Sequence, residues 1–120
     1  MLVFIGGGFG SVLRYAIGKY LNNQASIIPY GTFTANIFGS LLIGIILGIT
    51  AKNDFLNQNQ TLLLATGFCG GFTTFSTFAY ENHLFLKNGD FNSFALYTIA
   101  SFILAIIAVF TGMYLTRIFV

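Results

Sequence analysis

The chain has 120 residues, of which 56% are hydrophobic and only 7% charged, with five Lys or Arg against three Asp or Glu for a formal net charge of +2. A soluble domain carries about 25% charged residues, and a domain this small leaves roughly a third of its unfolded-state surface exposed. So few charges cannot cover a water-facing surface, and the chain reads as an all-α integral membrane protein in a lipid bilayer. Scattered charge excludes a nucleic-acid surface, and low charge with 18% aromatics excludes disorder. One cysteine, Cys69, excludes an intrachain disulfide and a multi-cysteine zinc site.

Charged and polar clusters divide residues 1–120, a single transmembrane domain, into four apolar segments near 2–21, 32–50, 61–86 and 93–118. A spanning helix needs about 20 mostly apolar residues, whereas barrel strands alternate over about 10. The first segment opens without a basic n-region and is read as retained. It carries Gly6 and Gly10 at close-approach spacing, then Arg14, which costs roughly 2.5–3.5 kcal/mol at a helix centre unless it snorkels to the interface. In the second, Thr32, Asn36, Ser40, Gly44 and Gly48 recur every four residues and share one face. Gly44 and Gly48 also match the close-approach pattern of membrane helix pairs.

The third segment holds Gly67-Phe-Cys-Gly-Gly-Phe-Thr-Thr-Phe-Ser-Thr-Phe78. Its diglycine weakens a helix, and its hydroxyls can bend one by bonding backbone carbonyls. Non-helical backbone survives at membrane depth only inside protein or beside a water-filled cavity. The segment is therefore expected to break mid-membrane at a bundle or subunit interface, where freed carbonyls could coordinate a small cation. The fourth segment lines up Ser101, Ala105, Ala108 and Gly112.

Four crossings put both termini on one side, with Lys52 and Arg117 there and Lys19 and Lys87 opposite. By the positive-inside rule this balance gives no orientation. A chain inserted both ways, able to form antiparallel dimers, would show it; so would any short-looped protein with a weak bias.

Phe72, Phe75 and Phe78 recur every three residues, interleaved with Thr73, Thr74, Ser76 and Thr77. A lipid- or core-facing stripe is the plain reading. The other is an anion path, because aromatic edges carry partial positive charge while hydroxyls and the Asn36 amide are mild donors. Such groups suit an anion that binds and then leaves.

Residues 67–78, followed by Glu81, resemble the signature of the small bacterial fluoride channels, the CrcB or Fluc family. Gly7-Gly-Phe-Gly-Ser-Val-Leu-Arg-Tyr15 and Pro29-Tyr-Gly-Thr-Phe-Thr-Ala-Asn-Ile-Phe-Gly-Ser40 agree with it. The resemblance implies a channel of the cell (inner) membrane that passively exports fluoride. It implies an antiparallel, dual-topology homodimer with two pores and a structural sodium ion (Na+) at its centre. By motif position, Phe75, Phe78 and Asn36 face the pore; Thr34, Ser76, Thr77, Tyr97 and Ser101 form a hydroxyl track; and Arg14 lies at a vestibule. Gly70 and Thr73 supply the sodium-binding carbonyls, and Glu81 occupies an acidic position of undefined role. Ala105 falls where a further hydroxyl is expected.

No nucleophile–base pair appears, so the chain does not read as an enzyme. His83 has no ligand partner at metal-site spacing. The rival reading is a small dual-topology exporter coupled to protons, which would want a carboxylate in the first segment, where there is none. A packing subunit would explain the glycines but leave Thr34, Asn36 and Thr73–Thr77 without partners in lipid.

Overall fold

The structure, a computed structural model, describes residues 1–22, 27–52 and 56–119. Its helices are α1 (Leu2–Leu21), α2 (Tyr30–Lys52), α3 (58–72), α4 (Ser76–Lys87) and α5 (Phe91–Phe119), with no strand among the described residues. Helices α3 and α4 are two parts of one segment, so four segments result. The third begins on a capping box, in which Asn57 Oδ1 accepts from the Gln60 N–H at 2.8 Å and Gln60 Oε1 from the Asn57 N–H at 3.0 Å. It ends where Gly89, at φ 74°, lets its own N–H reach the Leu86 carbonyl and the Asp90 N–H reach the Phe85 carbonyl. That turn sends the chain back as α5.

Three segments are long and apolar enough to cross a membrane: Tyr30–Lys52, Gln58–Lys87 and Phe91–Phe119. Helix α1 is shorter, at 20 residues, which still suffices for a crossing, but its glycines, Arg14 and Lys19 dilute its hydropathy. The chain is a multi-pass helical membrane protein.

Packing is pairwise: α1 lies chiefly on α3, and α2 on α5. Both pairs approach backbone to backbone through glycine. A Cβ at Gly10 would collide with the Phe68 carbonyl, and one at Gly44 with the Val109 carbonyl. In lipid, such closeness replaces the hydrophobic drive that water would give. At one end Lys52 Nζ donates to the carbonyls of Thr116 and Arg117, at 3.3 and 3.0 Å, placing a cation on the negative end of α5. Between α4 and α5, Phe78, Phe85 and Tyr97 form a buried cluster. The protomer is a slab of 49 × 30 × 19 Å.

The third segment breaks, but not at the diglycine. Residues Leu62–Cys69 form a π-helix, in which the hydrogen bonds run i→i+5, and Gly70 continues helically at φ −61°, ψ −38°. The helix opens only at Thr73, at φ −86°, ψ 157°. Glycine lowers the cost of leaving a helix without compelling it. What ends this one is side chains that bond the next backbone groups better than another helical turn would.

Candidate functional site

Four elements converge on the break. Asn36 and Ser40 from α2, Gly70 and Thr73–Phe75 at the break, Phe78 from α4 and Ser101 from α5 line a groove of about 530 Å³. Phe75 and Phe78 stand with ring centroids 5.8 Å apart and planes at 43°. They differ in cover: Phe78 is 7% exposed, wedged between Tyr97 and Phe102, whereas Phe75 is 70% exposed. Ser101 is 8% exposed, yet its hydroxyl has no hydrogen-bond partner among the described residues. A buried hydroxyl left unpaired costs about 1–3 kcal/mol. Ala105 lines the groove one turn further on and adds no donor there.

A second recess, of about 210 Å³, opens on the other side of Thr74 and holds Arg14, Lys19, Asn22, Thr32 and Thr77. Arg14 does not simply snorkel: its Nε donates to the Gly71 carbonyl at 3.0 Å. Inward of this recess runs a polar chain. Asn22 Nδ2 donates to Thr32 Oγ1 at 3.1 Å; Thr32 Oγ1 donates to Glu81 Oε2 at 2.7 Å; Tyr97 Oη donates to Glu81 Oε1 at 2.8 Å. Glu81 thus spends its carboxylate on two hydroxyl protons from two different helices.

The structure therefore brings together Asn36, Gly70, Thr73, Phe75, Phe78 and Ser101 in one groove, and Arg14 and Thr77 in the adjoining recess. Tyr97 and Glu81 lie behind Phe78, and Ser76 is exposed beside Thr74, with hydroxyl oxygens 3.5 Å apart. Thr34 is not brought to either. It lies in a separate, mainly apolar groove with Phe38, Leu104 and Thr111, because a residue two places from Asn36 lies on the opposite side of a helix. Thr32 and Thr74 are the hydroxyls that reasoning by motif passed over. Thr32 was legible in the four-residue stripe it shares with Asn36. Asn22 was not, since its polar surroundings read as a plain loop.

The sequence profile described as CrcB-like protein, Camphor Resistance (CrcB), matches residues 1–113. The chain belongs to this family of membrane proteins. Among its relatives is a protein of Gloeothece citriformis named "Fluoride-specific ion channel FluC", 48% identical over 118 residues, 98% of this chain and 95% of the relative. Proteins of the same name from Phocaeicola vulgatus and Bacteroides fragilis are 43% and 44% identical, covering 98% and 94% of this chain and 97% and 91% of their own. These relatives are named as channels, not as enzymes.

Proposed function

We propose that this chain is a fluoride channel that works as an antiparallel homodimer with two pores. The observation that carries the reading is a groove walled by Phe75 and Phe78 and lined by Ser101, whose buried hydroxyl has no partner among the described residues. A small anion meets its donor there, between ring edges whose positive rim attracts without a formal charge. Arg14 and Lys19 draw the anion to the outer recess, where the Thr77 hydroxyl replaces part of its water, with Ser76 exposed nearby. Phe75 and Phe78 then hold it, and Ser101 accepts it on the far side. No charged side chain lines the groove among the described residues, so release stays fast.

Two features support a second copy. Phe75 is largely uncovered, so its wall of the pore is unfinished in one protomer. Gly70 is exposed, and a Cβ there would meet nothing within 4 Å, so no contact inside the protomer requires glycine. The same place suits the proposed sodium ion. Among the described residues no hydrogen bond is made to the carbonyls of Gly70 and Thr73, although both line the groove, and neutral oxygens suit a hard cation. When bound, sodium would tie the broken segments of two copies together and neutralise their carbonyl dipoles. The pathway in this reading uses Asn36, Phe75, Phe78, Ser76, Thr77 and Ser101, with Tyr97 and Glu81 behind them and Thr32 in place of Thr34.

Liposomes loaded with fluoride test the function. Purified protein should release fluoride quickly once a potassium ionophore balances charge, and a bacterial inner membrane is where such release serves the cell. The rival, a proton-coupled exporter, draws on the Glu81 carboxylate at the centre of the chain. It gains the field if release ignores the potassium ionophore and follows a proton gradient instead.

A further inference from the structure

Breaking a helix inside a membrane frees backbone groups that must find partners. Here the partners of several of them are identifiable. The Cys69 carbonyl accepts from the Thr73 N–H at 3.0 Å and from Thr73 Oγ1 at 2.9 Å. The Gly71 carbonyl accepts from Arg14 Nε at 3.0 Å. Thr74 is held at both ends by one side chain: its N–H donates to Asn36 Oδ1 at 2.8 Å, and its carbonyl accepts from Asn36 Nδ2 at 3.0 Å. This closed pairing imitates a strand partner for a single residue. Thr74 in turn places its Oγ1 3.3 Å from the Thr77 N–H and donates to Thr77 Oγ1 at 3.2 Å, starting α4.

We infer that Asn36 is a positioning residue for conduction, the clamp that sets the direction of the Thr73 carbonyl and of the Phe75 ring on either side of Thr74. Both polar atoms of its carboxamide are engaged with backbone, so only its second N–H is left to meet an anion. The inference rests on the fluoride reading for what Phe75 does, but the clamp itself rests on these two hydrogen bonds. A residue that served only as an anion ligand would need neither. Ser40, one turn along α2, donates to the Asn36 carbonyl at 2.7 Å and does not touch Thr74, which makes it a control.

Amide exchange of the full chain in lipid nanodiscs, followed by NMR on threonine- and asparagine-labelled protein, tests the clamp. In the unaltered protein one side-chain N–H of Asn36 should exchange slowly and the other fast. Asn36→Ala should speed exchange of the Thr74 amide about tenfold, as expected for losing one hydrogen bond. Asn36→Asp, which keeps the acceptor, should restore protection, and Ser40→Ala should leave it as it was. Two fast side-chain protons in the unaltered protein, a measurement that needs no variant to fold, would overturn the inference. So would a Thr74 amide indifferent to Asn36→Ala. Neither readout involves fluoride, so failure of the clamp and failure of the fluoride reading are told apart.

Discussion

The hydroxyls of the site differ in where their protons go. Thr32 and Tyr97 give theirs to Glu81, whereas Ser101 gives its proton to no one. Ser101→Ala should therefore cut fluoride release by about tenfold or more, since a hydrogen bond to a charged group contributes about 1.5–3 kcal/mol. The thermal midpoint should not fall, because no protein partner is lost; efflux and melting on the same sample check both. Phe75→Ile and Phe78→Ile keep bulk but lose the ring quadrupole, and each should lower release about tenfold while leaving a dimer on gel filtration. Phe72 is the contrast. It is 1% exposed and stacks on Phe68 at 5.6 Å, so Phe72→Ile should cost stability but not conduction per folded dimer. Asn36, Phe75, Phe78 and Ser101, singled out by motif position, line one groove. Thr34, two places from Asn36, lines another groove of the protomer, whereas Thr32 shares the face of Asn36.

At the scale of elements, glycine has two uses that a sequence does not separate. Gly10 is glycine because α3 presses against it, while Gly8, two places earlier, faces open space. Gly10→Ala should lower stability by about 1–3 kcal/mol through overpacking. Gly8→Ala should be neutral or gain up to about 1 kcal/mol from helix propensity; denaturation in mild detergent compares the two, and equal losses would contradict the packing described. The existence of a broken third segment was readable from Gly70 and Gly71 followed by hydroxyls. Its position three residues later was not, because it depends on Asn36 and Arg14, which are distant in sequence and reach the break only through tertiary packing. The π-helix before it carried no signal in composition or period.

As a whole molecule the protomer is 19 Å through its thinnest direction, with the Phe75 ring 70% exposed, and the proposed antiparallel dimer would cover that ring. With Lys52 and Arg117 balanced against Lys19 and Lys87, nothing in the charges favours one orientation. Asn88, exposed in the α4–α5 turn, offers the test. Asn88→Cys in a Cys69→Ala background should react with an impermeant thiol reagent from both sides of the membrane, and one-sided reaction would remove dual topology. The charge balance was visible in the sequence, but the exposure of the Phe75 ring was not. The most direct test of the central claim remains anion release from liposomes, fluoride against chloride, with a potassium ionophore present. The account requires rapid loss of fluoride and chloride loss no faster than from protein-free liposomes; equal loss of both, or of neither, would contradict it.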